Sequence, residues 1–182
     1  MRNILFVFFL LISINATSQK LPYTSQTDAG ILVGDMVKPS FSLQTFHGIK
    51  IDSGQFEAGG NAGVDIYAPV TLLPVSIGLK WNFLSTKLIK PYLNLSAGYG
   101  LNWLQEQNDF EKFRGGLMIH PSMGLRFNSS RKAKLNLNLG YKQQKASIAQ
   151  NPLVMNDFPG PGSSIKDDYT FNRISLSAGI SF

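Results

Sequence analysis

Apolar and polar residues alternate along several segments of this chain. From Leu93 to Trp103 every second residue is apolar or aromatic, and the residues between them are Asn, Ser or Gly. The same period of two runs through residues 75–83, 135–142 and 173–182. Because successive side chains of a β-strand point to opposite faces, this period predicts strands that have one apolar face and one polar face.

Fainter alternation extends the prediction to eight strands. Residues 30–35, 40–51 and 56–67 predict three strands before the clear ones, and residues 116–127 predict the sixth. Pro121 lies within this sixth strand. We expect a bulge or a local break there, because proline donates no backbone hydrogen bond.

The predicted links between strands alternate between short and long. Residues 52–55 and 128–132 are short and polar, whereas residues 105–112 and 146–168 follow strands five and seven and are longer. An even number of strands, with short links at one end and long links at the other, is typical of an antiparallel up-and-down barrel.

The apolar faces of these strands carry large and aromatic residues, whereas the opposite faces carry Ser, Asn and Gly. The polar faces would make a poor apolar cavity, so we expect the apolar faces to point outward into lipid. Tyr92 and Trp103 would then mark the two edges of the membrane on strand five. A soluble barrel with an apolar interior is the alternative, and it would require the opposite facing.

Only helices and closed barrels pair all their backbone groups in hydrocarbon. No segment after Gln19 is apolar for long enough to be a spanning helix. The sequence therefore predicts an all-β fold, an eight-stranded antiparallel up-and-down transmembrane β-barrel.

The N-terminus has the features of a secretory signal. Arg2 gives a positive start, residues 4–14 are apolar, and residues 16–18 offer a cleavage site of small residues. An uncleaved anchor is the alternative, but this apolar run is short against the roughly 20 residues that a spanning helix needs. We expect a signal peptide at 1–18 and a barrel domain at 19–182. The chain has no cysteine, which excludes disulfides and a lipid-modified cysteine.

The polar faces carry most of the charge that we expect inside the barrel. Buried charges are tolerated only when they are paired or hydrated, so these groups would form a network of ion pairs and hydrogen bonds. An anion-binding lumen is the alternative, since bases predominate in this set and the formal net charge is +6. The predicted lumen network consists of Asp65, Lys80, His120, Arg126, Lys142 and Arg173.

Residues 90–100, with the sequence Lys-Pro-Tyr-Leu-Asn-Leu-Ser-Ala-Gly-Tyr-Gly, and the closing Phe182 resemble small outer-membrane β-barrels of Gram-negative bacteria. The chain is similar to the OmpA membrane domain and OmpX, in particular to single-barrel members of that group. The resemblance implies an outer-membrane location with both termini in the periplasm. It also implies contact with outer-membrane lipid and lipopolysaccharide, and recognition of the terminal strand and Phe182 by the barrel-assembly machinery.

His120 and Ser122 share one face of strand six, and a His-x-Ser pair occurs in some outer-membrane barrels that deacylate lipid A. A nucleophilic serine needs a base that a third group orients, and no glutamate is evident near this pair. We therefore predict no catalytic residues. His47 and His120 are isolated from acids, so we predict no metal site and no cofactor.

The long seventh link, which we expect to lie on the surface, contains four apolar residues. They form either a contact surface or a cap over the barrel mouth. These residues are Leu153, Val154, Met155 and Phe158. The expected function is that of an integral outer-membrane barrel of structural or interaction type, which acts through its extracellular loops. A lipid A-modifying enzyme and a barrel that binds or transports anions or lipid head groups are the alternatives. The positive charge gives no reason to expect nucleic acid in a secreted barrel, and the sequence identifies no extracellular partner.

Overall fold

The computed structural model describes residues 22–34, 38–68, 70–83, 88–103, 111–128, 133–150 and 165–182. The predicted signal peptide at 1–18 lies outside the described residues. A short 3-10 helix, Asp52–Gly54, is the link between the second and third strands. In the described part of the chain, no helix has the length and apolar character needed to cross a membrane. The strands are β1 (Tyr23–Gly34), β2 (Ser40–Ile51), β3 (Phe56–Ile66), β4 (Thr71–Asn82), β5 (Ile89–Leu101), β6 (Glu111–Phe127), β7 (Lys134–Gln150) and β8 (Ile165–Ser181).

The strands form one closed sheet. Each strand pairs antiparallel with its neighbours in chain order, and β8 pairs antiparallel with β1. The predicted all-β fold, an eight-stranded antiparallel up-and-down barrel, is confirmed. We call the end that carries the β2–β3, β4–β5 and β6–β7 links the turn end, and the opposite end the loop end.

Four strands are longer than the sequence pattern indicates. β1 begins at Tyr23, before the predicted start at residue 30, and β6 begins at Glu111. β7 and β8 pair as far as Gln150 opposite Ile165, so much of the predicted link 146–168 is sheet. Cross-strand backbone pairing extends these strands beyond the region where apolar residues alternate.

At Pro121 the structure shows the predicted local break and no bulge: β6 pairs with β7 at Ile119 and again at Ser122 in unchanged register, and the two residues between them do not pair with β7. The register between β6 and β7 shifts between Gly115 and Met118, whereas Pro121 lies in register with Leu95 of β5. A bulge adds one residue to one strand and reverses the facing beyond it. Phe113 and Met118 are therefore both buried although an odd number of steps separates them.

The two faces of the sheet have opposite polarity. Alternate large apolar side chains are exposed on the outside, among them Ile77, Leu95 and Leu137, whereas the buried polar side chains face the interior. Trp103 is exposed near the loop end. Tyr92 is buried inside the barrel, at 1 % exposure, so it does not mark an edge of the outer surface as predicted. Its position on the polar face of β5 directs it inward despite its large ring.

The apolar core is small and lies inside the loop end. The rings of Tyr67 and Phe171 stack there with centroids 4.4 Å apart. We call this group the loop-end cluster: Leu32, Tyr67, Val70, Leu72, Phe113, Ala146 and Phe171. It fills the lumen where the polar side chains end.

Replacement of Leu72 with alanine tests how much the loop-end cluster contributes to the stability of the barrel. Leu72 has no exposed surface. We expect Leu72→Ala to lower the free energy of unfolding by about 2–5 kcal/mol, because the change removes buried contacts and leaves a cavity. Equilibrium denaturant unfolding measures the change. Leu88→Ala is the control, since Leu88 is 74 % exposed in a turn-end link, and an equal loss in both variants would contradict the assignment.

Candidate functional site in the barrel interior

Buried charges inside the barrel form two groups, of which the first lies toward the turn end. Arg126 Nη1 donates to Glu57 Oε1 at 2.6 Å, and Arg126 Nη2 donates to Glu57 Oε2 at 3.2 Å. Such a two-point contact is the strongest geometry for an arginine and a carboxylate. Arg126 Nε also donates to Asn136 Oδ1 at 3.2 Å. β3, β6 and β7 are thus joined across the lumen.

Lys80 completes this turn-end group through Gln26. Lys80 Nζ donates to Gln26 Oε1 at 2.8 Å and lies 3.7 Å from the centroid of the Phe46 ring. Gln26 Nε2 donates in turn to Asp28 Oδ2 at 2.8 Å and to the Tyr92 hydroxyl at 2.9 Å. The Gln26 amide thus accepts a hydrogen bond from Lys80 and donates one to Asp28. It connects the two side chains, which do not need to touch each other.

The second group of charges lies toward the loop end around Asp65. Lys142 forms a fully buried ion pair with Asp65 Oδ2, and Ser42 Oγ donates to Asp65 Oδ1 at 2.7 Å. Burial and the negative charge of Asp65 raise the pKa of Tyr67, which follows β3. The Tyr67 hydroxyl therefore stays protonated and donates to Asp65 Oδ2 at 3.4 Å. Arg173 is also fully buried and pairs in register with Lys142.

A small polar cavity of about 40 Å³ lies between the two groups. It is large enough for a few water molecules, since one water needs about 10–15 Å³ on this measure. Within the described residues, Gln44 Nε2 and Asn94 Oδ1 have no protein partner, and both residues line the cavity. One is a donor and the other an acceptor, so ordered water would satisfy both.

His120 and Ser122 line this cavity but have different partners. His120 Nε2 lies 2.8 Å from Ser175 Oγ, and Ser122 Oγ accepts from Asn94 Nδ2 at 3.1 Å. Both side chains are inside the barrel, where they connect β6 to β8 and to β5. The arrangement joins strands by hydrogen bonds, and it does not align His120 as a base for Ser122.

The structure places all six residues of the predicted lumen network inside the barrel. It brings Lys80 and Arg126 into the turn-end group, and Asp65, Lys142 and Arg173 into the loop-end half. His120 lies between them at the cavity.

Among the interior residues that the sequence analysis missed are three of the turn-end group: Gln26, Asp28 and Glu57. Gln26 and Asp28 precede the predicted start of β1, so no facing was assigned to them. Glu57 lies an even number of residues before Asp65 in β3 and shares its facing. From this spacing the sequence could have predicted that Glu57 faces the interior, where it can pair with a lysine or an arginine.

Several other predicted positions lie outside the interior or outside the described residues. His47 faces outward and forms hydrogen bonds with the Tyr23 hydroxyl and, at 3.0 Å, with Thr45 Oγ1. Phe182 is exposed at the turn end, and its backbone pairs with Ser25. Among the described residues, no three His, Cys, Asp or Glu side chains gather as metal ligands would. The candidate contact residues lie in a link that the structure does not describe: Leu153, Val154, Met155 and Phe158.

No protein-family model matches this sequence, and the comparison with curated proteins gives no significant match. The resemblance to small outer-membrane barrels therefore stays a prediction. The structure itself shows an eight-stranded barrel with a polar, charge-paired interior.

A double-mutant cycle tests the ion pair of Lys142 and Asp65. We expect Lys142→Met alone to lower the free energy of unfolding by about 3–5 kcal/mol, because it leaves a buried carboxylate without its cation. The double variant Lys142→Met/Asp65→Leu should regain most of that loss, since no uncompensated charge remains. Denaturant unfolding of the unchanged protein, of the single variants Lys142→Met and Asp65→Leu, and of the double variant gives the coupling energy. Lys145→Met, at an exposed position of the same strand, is the control, and a single variant as stable as this control would refute the pairing.

Proposed function

We propose that this protein is an integral outer-membrane β-barrel with a closed lumen, which acts through its loop end and catalyses no reaction of its own. The observation that carries the proposal is the reversed polarity of the barrel. Large apolar side chains cover the outside, and charged side chains are buried within. In water such a continuous apolar exterior would drive association. In a bilayer the same exterior is solvated by lipid, and where all eight strands pair the closed sheet leaves no backbone edge exposed to lipid.

Aromatic side chains at the ends of the barrel support the same placement. Near the turn end, Trp81 stacks with Phe56 at 6.4 Å between centroids and lies 5.7 Å from Phe83. Tyr99 and Trp103 are exposed toward the loop end. Outer-membrane barrels carry aromatic girdles at both edges of their apolar band.

The packed interior supports a closed lumen. An eight-stranded barrel is only wide enough for its own side chains. Here Arg126 and Glu57 cross the lumen toward the turn end, and the loop-end cluster fills the opposite end. The paired charges of Lys142 and Asp65 lie between them. This arrangement favours a structural or interaction role over transport.

The loop end presents the part of the barrel that is best suited to an interaction. β6, β7 and β8 each have 17 residues, whereas β1, β2 and β4 have 12. Among the described residues, β8 pairs with β1 as far as Arg173 opposite Gly34, and it continues along β7 to Ile165. These three strands therefore project beyond their neighbours, and the edge of a projecting sheet can pair with a strand of another protein.

The alternative of a lipid A-modifying enzyme has less support from the geometry. His120 and Ser122 line an interior cavity, whereas a lipid substrate would reach the outside of the wall. The alternative of a transporting barrel is weakened by the acids Asp28 and Glu57. They balance much of the positive charge that the sequence assigned to the lumen.

A charge on the outer wall distinguishes a lipid-embedded barrel from a soluble one. Leu95 lies at the middle of β5 and is 55 % exposed. We expect Leu95→Arg to lower the free energy of unfolding in lipid vesicles by about 2–4 kcal/mol, the cost of arginine near the bilayer midplane. Leu88→Arg, in the exposed turn-end link, should have little effect.

The unchanged protein should fractionate with the outer membrane and migrate differently on detergent gels with and without boiling, as folded barrels do. Recovery of the protein in the soluble fraction, together with an unchanged stability of Leu95→Arg, would refute the membrane proposal.

The apolar residues of the last link test the interaction role. We expect a variant with serine at positions 153, 154, 155 and 158 to fold normally, with the same gel shift. It should lose the adducts that a photo-crosslinking residue at Thr170 forms on intact cells. A crosslinker at Ile180, on the outer wall near the turn end, is the control. Unchanged adducts and a lowered melting temperature would instead identify these residues as a cap over the barrel.

A further inference from the structure

The turn end of the barrel opens into a polar concavity of about 540 Å³, which we call the turn-end mouth. Its charged lining residues come from five strands and one link. They are Lys50, Asp52, Glu57, Lys90, Arg126 and Lys134. The volume falls within the range of about 300–1,000 Å³ that is usual for small-molecule sites.

Barrel closure brings three lysines to this mouth. Lys50 lies near the end of β2, Lys90 near the start of β5, and Lys134 is the first residue of β7. All three are partly exposed, so their ammonium groups stay in reach of solvent. Lysines that are far apart in sequence thus surround one concave surface.

The positive charge of the turn-end mouth is not balanced by its acids. Glu57 is held by the two-point contact with Arg126, and Asp52 lies in an exposed turn. Among the described residues, no carboxylate lies within 4.0 Å of the three lysine ammonium groups. The charges of Lys50, Lys90 and Arg126 instead repel the Lys134 ammonium. The mouth therefore has a net positive charge. A concave wall with an excess of one sign of charge focuses its field and concentrates counter-ions.

We propose that the turn-end mouth binds an anion that carries phosphate groups and at least two negative charges, with Lys50, Lys90 and Lys134 as its ligands. Lysine ammonium groups bind phosphate oxygens as compact point charges. A multivalent anion fits better than a single carboxylate, because the three cations stand on separate strands around the mouth. The inference does not depend on the proposed function, since it requires only that the turn end meets water.

The phosphate could belong to a soluble compound or to a lipid head group at the rim. Both sources offer the same oxygens to the lysines. The experiment therefore begins with a soluble anion and then varies the lipid.

Titration with inorganic pyrophosphate tests the site. The protein is folded in uncharged detergent, and heat of binding is measured at an ionic strength kept constant with sodium chloride. We expect Lys50→Gln/Lys90→Gln/Lys134→Gln to weaken pyrophosphate affinity at least about tenfold, which is about 1.4 kcal/mol. Lys134→Gln alone should weaken it by a smaller factor, and this variant decides the matter if the triple variant does not fold.

The matched control removes three positive charges at the loop end, in the variant Lys38→Gln/Arg114→Gln/Lys145→Gln. We expect it to bind pyrophosphate as the unchanged protein does. Equal affinity in the two triple variants, or no preference for pyrophosphate over chloride, would overturn the proposal. Weaker pyrophosphate binding in phosphatidylglycerol nanodiscs than in phosphatidylcholine nanodiscs would identify lipid head groups as the competing source. Equal binding of pyrophosphate in the two lipids would identify a soluble compound as the source of the phosphate.

Discussion

The narrow lumen of an eight-stranded barrel requires each buried charge to be paired within the protein or hydrated. An isolated ion in such an interior costs several kcal/mol, and a paired one costs much less. The contacts of Arg126 with Glu57 and of Lys142 with Asp65 meet this requirement between strands that are distant in the chain. They also fix the register. A slip of β3 by one residue would turn Glu57 and Asp65 to the outside and leave two cations unpaired.

The same constraint accounts for the outer surface. In β4, Lys80 turns inward to Gln26 and the ring of Phe46, and its neighbours Leu79 and Trp81 must then turn outward. Every charge that the interior accepts therefore places two side chains on the outer wall. A barrel that pairs its charges inside is suited to a solvent that accepts apolar side chains outside. Lipid is that solvent in the function we propose.

The sequence pattern predicted the fold because alternation is a local property and needs no knowledge of pairing. It predicted β4 and β5 well, and the inward parity of Lys80 and Lys142 followed from it. It failed where facing depends on a partner strand. Gln26 lies in a part of β1 that is extended by pairing with β2 and β8, and Phe113 faces inward because of a bulge against β7. The specific contact of Arg126 with Glu57 was not predictable, since it depends on the closure of the whole ring.

The two ends of the barrel differ in a way that local alternation does not reveal. Phe171 and Leu72 belong to an apolar cluster that closes the loop end, whereas Lys50, Lys90 and Lys134 surround an open mouth at the turn end. Between them lie the ion pairs of Arg126 with Glu57 and of Lys142 with Asp65, and a small cavity. A solute that enters the turn-end mouth therefore meets Arg126 already bound to Glu57, and it can bind there without passing through. The barrel thus offers two separate surfaces, a projecting sheet at one end and a basic concavity at the other, which can be occupied independently.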